Sequence, residues 1–302
     1  MKQSVLHRMK RDRIYLLLLI PVLFYYLLFH YVPMFGIVVS FMDYNLFKGV
    51  WHSPWVGLKH YRMFFSNPDA WLIVRNTLLL GLYKFIFAFP APIALAILFY
   101  EMRWKKFRRF VQSVSYLPFF LSSVVLSSIM IMLLSPSTGW INKAIQSLGF
   151  EPINFLQRPE WFRTIYIASD IWQMTGYGTI IFLAALAAID PQLYEAARMD
   201  GANRWKQTVH VTLPGIIPAI VIMFILSISG IINIPFDKAF LLGNAGNLDT
   251  ADIISTYVYR IGILGGGMSY ATAINLSLGL VTMLLVYLTN VASRKVGETS
   301  LW

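Results

Sequence analysis

Residues 211–236 read VTLPGIIPAIVIMFILSISGIINIPF, a run with no acidic or basic side chain. Crossing the hydrocarbon core of a bilayer takes about 20 consecutive apolar residues in a helix, and this run exceeds that length. Three further charge-free runs, 14–42, 110–142 and 261–293, do so as well. Two more, 76–100 and 164–189, are interrupted only by Lys84 and by Asp170. The chain of 302 residues is 57% hydrophobic and 13% charged, against about a quarter charged in soluble proteins. A water-soluble fold has nowhere to hide that much apolar surface. The expected architecture is therefore an all-α, polytopic membrane protein with six transmembrane helices, at about 14–42, 72–100, 110–134, 164–189, 213–236 and 268–292.

The net charge of +11 raises the question of nucleic acid, but that reading needs a basic stripe on a soluble domain. Here the basic residues fall between the apolar runs. Lys2, Arg8, Lys10, Arg11 and Arg13 precede the first, and Arg103, Lys105, Lys106, Arg108 and Arg109 follow the second. By the positive-inside rule both segments are cytoplasmic, and an even number of spans returns Arg294 and Lys295 to the same side. The expected layout is a cytoplasmic tail 1–13, one membrane domain 14–293 and a cytoplasmic tail 294–302. The first apolar run is about twice the 7 to 15 residues of a signal-peptide core, so it reads as an uncleaved helix. No cysteine is present, which removes disulfides, thiolate metal sites and a cysteine nucleophile.

The outer segment 43–70 mixes Trp51, Trp55, Tyr61, Phe64 and Phe65 with Pro54 and Pro68, as in an aromatic belt at the headgroup level. In the next one, Trp140, Ile141, Ala144, Ile145 and Leu148 recur at helical spacing, the pattern of an amphipathic surface helix.

The longest inner connection, 190–212, is the most informative. Asp190 can cap a helix whose first residue is Pro191, where a missing N–H does no harm. Gly201 supplies the stop, because it can take the left-handed conformation that ends a helix. Asn203 can cap a second helix, expected to end near Thr212 because the residue before Pro214 is disfavoured in helical geometry. Leu193, Ala196 and Ala197 share one face of the first helix, a small apolar surface that another protein can approach closely. Glu195 and Arg198, three apart, can pair with each other or with a partner. From the residues alone, an amphipathic helix resting on its own bundle is an equal alternative.

Glu195-Ala196-Ala197, two residues, Asp200-Gly201-Ala202, ten residues, Leu213-Pro214: this spacing resembles the signature loop of the permease subunits of ATP-binding-cassette (ABC) importers. The pattern usually has an aromatic where Thr208 stands, although Trp205 is close by. The resemblance extends to Val56-Gly57-Leu58, Asn76-Thr77, Tyr116-Leu117-Pro118, the string SPSTGWIN at 135–142, Ser169-Asp170-Ile171-Trp172 and ADIISTYVYRIG at 251–262. These strings look like the carbohydrate branch, in particular the members importing oligosaccharides and uronate-containing ones. The resemblance implies a type I importer permease (MetI-like) fold in the bacterial inner membrane, with the 190–212 loop as a coupling helix that inserts into a cytoplasmic ATPase. It also implies a second, non-identical permease, two copies of the ATPase carrying ATP and Mg, and an extracellular or periplasmic solute-binding protein. The chain itself is expected to hold no cofactor and no metal.

No GxxxxGK[ST] loop occurs, so ATP hydrolysis belongs to another polypeptide. HExxH and GxSxG are absent too, which argues against an intramembrane enzyme. The competing reading is an ion-coupled secondary transporter of a sugar or other small polar solute, since a charge near the midplane is a functional hypothesis by default. Lys84 and Asp170 are its candidates; Lys84 can instead snorkel to the outer interface. For a sugar path the candidates are Trp172, Gln173, Tyr177, Asn233 and Asn275, which combine aromatic faces with amides. Interface anchoring and interhelical hydrogen bonds account for the same residues.

Overall fold

The structure, a computed structural model, describes residues 13–296. The outer parts of the two expected tails, 1–12 and 297–302, lie outside the described residues. Thirteen helices are named here: α1 (Arg13–Phe41), α2 (Lys59–Phe65), α3 (Ala70–Glu101), α4 (Lys105–Phe120), α5 (Ser123–Leu134), α6 (Trp140–Ser147), α7 (Pro159–Ala187), α8 (Pro191–Met199), α9 (Arg204–Ile232), α10 (Phe236–Leu242), α11 (Leu248–Ala251), α12 (Ile254–Val258) and α13 (Met268–Val296). Among the described residues the sole strand-like pairing is an isolated bridge between Met42 and Trp55.

Four helices, α1, α3, α9 and α13, are long and apolar enough to cross a membrane, and the count is six if each of two bent pairs forms one span. The pairs are α4 with α5, bent by 102°, and α7 with α8, bent by 70°. The expected third span, 110–134, falls on the first of these pairs and is broken near Pro118. Pro118 starts a tightened 3-10 turn over Leu117–Phe120, and Leu121 is extended. Ser122 then caps α5, its hydroxyl accepting from Val125 N at 3.3 Å.

The chain divides into two compact units. In the first, Met1–Ser66 with Val258–Ser277, the end of α1 turns back through 42–57. Asn45 N donates to Ser53 Oγ at 3.0 Å and Tyr61 donates to Ser40 Oγ at 2.9 Å, closing the turn. At its edge Asp43 holds Lys59 at 2.5 Å and His60 at 3.2 Å.

The second unit, Asn67–Tyr257 with Leu278–Trp302, holds the main helix packing. With no hydrophobic drive between helices in lipid, close backbone approach has to supply packing, and small residues permit it. A Cβ on Gly176 of α7 would lie 1.8 Å from the Ser115 carbonyl oxygen of α4, and one on Gly81 of α3 equally close to that of Ile231 of α9. At one end Phe162, Tyr166, Leu80, Ile234, Leu242 and Ile253 form a buried cluster. Asn76 organises the polar layer there: its amide donates to the carbonyls of Asp249 and Asp252 at 2.9 and 3.1 Å, and its oxygen accepts from Arg163. Asn142, fully buried on α6, donates to the carbonyls of Leu134, Ser135 and Ile153, so the expected surface helix is pinned to the end of α5. At the other end Ala96, Phe182, Leu186, Ile189 and Ile216 cluster around Tyr194 of α8.

Candidate functional site

The caps and the elbow of the connection 190–212 are set by local chemistry. Asp190 is extended and its carboxylate accepts from Gln192 N at 2.9 Å, with Pro191 at the first helical position. At the far end Asp200 N reaches Ala196 O at 3.0 Å and Ala202 N reaches Ala197 O at 2.8 Å. Gly201 stands between them at φ +76°, where L side chains are strained. Asn203 then accepts from Lys206 N at 2.9 Å, and Gln207 Nε2 donates to Ala202 O at 2.8 Å, closing the elbow.

The expected end of the second helix at Thr212 is corrected. Leu213 is helical, and the helix runs from Arg204 to Ile232. A π turn over Thr208–Thr212 makes this possible. Proline disturbs a helix by lacking an N–H and by its ring meeting the carbonyl four residues back; a wider turn just before Pro214 relieves both.

Three contacts seat the elbow. Tyr194 is buried, with its hydroxyl 3.1 Å from Thr212 Oγ1 and its ring 6.2 Å from that of Tyr100. Arg204 Nη1 lies 2.8 Å from Glu101 Oε2 at the end of α3. Tyr194 thereby turns the opposite face of α8 outward. Leu193 (53% exposed), Ala196 and Met199 (89%) lie there, and Trp205 (74%) is exposed on the next helix. Ala197 is half-buried, so Ala196 presents the methyl more openly. Sequence reasoning missed Met199, whose register three residues after Ala196 was the available signal. Glu195 and Arg198 make no ion pair with each other among the described residues. Both line a cleft of about 650 Å³ with Tyr100, Glu101, Arg103 and Arg204. Asp200 and Pro214 are exposed, and Ala202 and Leu213 are half-buried.

The transport-path candidates are dispersed. Tyr177 stacks flat on Phe119, centroids 3.7 Å apart, and Trp172 is 45% exposed one turn and a half earlier. Gln173 is buried and spends its amide on the Leu121 carbonyl at 3.0 Å, where α4 breaks from α5. Asn233, exposed at the end of α9, donates to Ser229 O at 3.2 Å and Thr282 Oγ1 at 3.4 Å. Asn275 is exposed on α13, in the other compact unit.

A cluster that sequence reasoning did not assemble lies within the second unit. Asp170 of α7 accepts from Lys238 of α10 at 2.9 Å and faces Lys84 of α3 at 3.3 Å. The Asp170 and Lys238 side chains are 4% and 5% exposed and Lys84 is 29% exposed. Lys84, for which snorkelling was one alternative, turns its ammonium inward to Asp170. Lys238, which falls beyond the expected fifth span at 213–236, is buried, with its ammonium 5.1 Å from the Tyr166 ring.

Comparison with known proteins agrees with this architecture. The model of the family described as "Binding-protein-dependent transport system inner membrane component" matches residues 88–295. Protein LplB of Bacillus subtilis (strain 168) is 43% identical over 97% of this chain and 92% of its own length. The polygalacturonan/rhamnogalacturonan transport system permease protein YteP of the same organism is also 43% identical, over 100% of this chain and 94% of its own. Among solved structures, a chain of a bacterial alginate ABC transporter, in complex with alginate pentasaccharide-bound periplasmic protein, superposes with a TM-score of 0.92. It is 35% identical, with 99% of this chain and 100% of that one covered. The signature loop, the helical membrane architecture and these matches lead to one conclusion: the chain belongs to the family of binding-protein-dependent transport system inner membrane components, the permease subunits of ABC importers.

Proposed function

We propose that this permease imports oligosaccharides, uronate-containing ones included, as one half of a translocation path completed by a second, non-identical permease. Two ATPase subunits, holding ATP and Mg, bind the coupling loops on the cytoplasmic side, where both termini of this chain also lie. A solute-binding protein delivers the sugar to the outer face. The sugar assignment is supported by what the relatives transport: polygalacturonan or rhamnogalacturonan in one, alginate in another.

The observation that carries the mechanism is the elbow. Its outward face of Leu193, Ala196 and Met199 is small and apolar enough for close docking, while Tyr194 and Arg204 fasten it to the ends of three long helices. α9 continues from the elbow without a break to Ile232, roughly 40 Å at about 1.5 Å per residue. A push on α8, delivered when the ATPases close on ATP, is thus carried through the bundle by a rigid element. The helices respond by swinging between inward-facing and outward-facing arrangements.

Co-reconstitution with the second permease, the ATPase and the binding protein in liposomes tests this. ATP hydrolysis stimulated by the sugar-loaded binding protein is expected, with uptake that persists when ion gradients are collapsed. Uptake by this chain alone, driven by an ion gradient, would establish the secondary-transporter reading instead.

A further inference from the structure

The Lys84–Asp170–Lys238 cluster carries two positive charges against one negative, and among the described residues no other carboxylate pairs with either lysine. Taking charges out of water is costly unless each is neutralised, so an unbalanced buried cation is retained where it meets an anion. The two lysines are not equivalent. Lys238 is buried, makes a 2.9 Å hydrogen bond to Asp170 Oδ1 and sits beside the Tyr166 ring. Lys84 is more exposed, and its 3.3 Å contact is an ion pair without hydrogen-bond geometry: Asp170 Oδ2 accepts no hydrogen bond. Lys84 also opens the π turn Lys84–Ala88, an irregularity frequent at functional sites. Lys238 alone suffices to neutralise Asp170, which leaves Lys84 as the charge available to a visitor.

The surroundings indicate what visitor. Tyr83 and Phe87, on either side of Lys84 along α3, line an open cleft of about 520 Å³ with Glu160, Arg163, Thr164, Ile167, Ala168 and Ile171 of α7. Arg163 uses one guanidinium nitrogen on Asn76, while its Nε is buried without a hydrogen-bond partner. Aromatic rings with the Arg163 guanidinium suit a sugar, whose ring face packs on the aromatics, and the charge of Lys84, next to Tyr83 along α3, suits a carboxylate on that sugar through a charge-assisted contact.

We propose that Lys84 receives carboxylates of the sugar in transit, exchanging its Asp170 partner for a uronate carboxylate while Lys238 keeps Asp170 neutralised. This rests on the oligosaccharide-importer reading above and adds the residue that favours acidic substrates.

The test uses the assembled importer and an oligogalacturonate as probe. Lys84→Gln leaves Asp170 paired with Lys238, so membrane abundance and thermal stability stay near wild type. Uptake efficiency should fall about tenfold or more, the order expected for one charge-assisted contact, and Lys84→Arg should recover most of it. Because the chain has no native cysteine, Lys84→Cys gives a readout that a structural role does not move. A water-soluble thiol reagent should label it, and turnover with oligogalacturonate should slow that labelling several-fold. Absence of labelling, or labelling indifferent to the sugar, overturns the proposal even if Lys84→Gln folds poorly. Wild-type uptake of the probe with undiminished Lys84→Gln uptake overturns it while leaving the importer reading intact. Failure of the wild-type complex to import any oligosaccharide overturns both.

Discussion

The elbow at 190–204 and the Lys84–Asp170–Lys238 cluster both place polar groups at strategic points of an apolar chain, yet they are built in opposite ways. The bonds that cap and close the elbow join residues within five positions of each other, from the Asp190 cap to the Ala202-to-Ala197 closure, and its longer-range contacts, through Tyr194 and Arg204, only seat it on the bundle. It lies at the surface, where water serves any group left over. The cluster joins Asp170 to Lys238, 68 positions on, and to Lys84, still further back along the chain, with its only carboxylate 4% exposed. Losing a member of the first costs a local shape; losing the centre of the second strands the buried charge of Lys238 without a counter-ion.

The sharpest way to break this comparison is Asp170→Ala set beside Glu195→Ala. Removing Asp170 leaves Lys84 and Lys238 facing each other without a counter-ion, and breaking a buried pair in this way typically costs about 3 to 5 kcal/mol. A large drop in thermal stability in detergent and in membrane abundance is expected. Glu195 is exposed, so its loss should move stability by no more than about 0.5 kcal/mol. Equal stability of the two variants would show that the cluster is not the buried element described here.

Next in size is an effect confined to docking. Ala196→Trp places a large ring on the exposed face of α8 without touching the Tyr194 side, so folding should be unchanged. Overpacking a close contact costs about 1 to 3 kcal/mol, which lowers occupancy of a marginal docked state roughly 5-fold to 150-fold. The measurement is ATPase retained on a pull-down, beside membrane abundance. Retention equal to wild type would remove α8 as the docking helix.

Gly201→Val comes third and separates shape from contact. A Cβ at Gly201 would meet nothing within 4 Å, so the cost is backbone strain at φ +76°, about 1 to 2 kcal/mol for an L residue in left-handed geometry. Asparagine, which tolerates that region, should be milder. Uptake and ATPase stimulation should fall in the order wild type, Gly201→Asn, Gly201→Val, with insertion of the spans unaffected. Val behaving like Asn would mean that the elbow re-forms by another route.

The same contrast explains what the sequence made legible. The Asp190 and Asn203 caps, the Gly201 stop and the long apolar runs follow from neighbours along the chain, and the structure has the caps, the stop and, among the described residues, four of the runs as single long helices. The end of the second helix was misread because the rule for residues before proline assumes an ordinary α turn, and the π turn over Thr208–Thr212 changes that premise. The size of the break in the third apolar run was not legible, because an apolar run does not record a 102° bend. Lys84 and Asp170 were visible as isolated charges, but nothing in local spacing announces that Lys238 would be buried against them. Which residues of α3, α7 and α10 meet is a property of the packed bundle, which joins positions far apart along the chain.

The smallest expected effect supplies the control for the buried cluster. Asp43 and Lys59 form an ion pair in the first compact unit with side chains 41% and 54% exposed, against 4% and 5% for Asp170 and Lys238. The hydrogen bond from Lys59 holds the Asp43 carboxyl below the usual carboxylate range, with smaller help from the charge of Lys59 and from His60. A carboxyl held low in the folded state binds its proton more readily when unfolded. Its stabilising contribution is therefore complete above the ordinary carboxylate range and is lost as pH falls toward the folded value. At neutral pH Lys59→Ala should thus destabilise slightly, by less than about 1 kcal/mol, as is usual for exposed pairs. The difference from wild type should shrink as the medium is acidified below about pH 4 and also as salt is raised toward 1 M, where screening acts within about 3 Å. Asp170, shielded from solvent ions, should keep its effect at high salt. Thermal melts of Lys59→Ala and Asp170→Ala across one salt series make the comparison directly. A salt-sensitive Asp170 effect would mean that solvent ions reach the cluster in the folded protein.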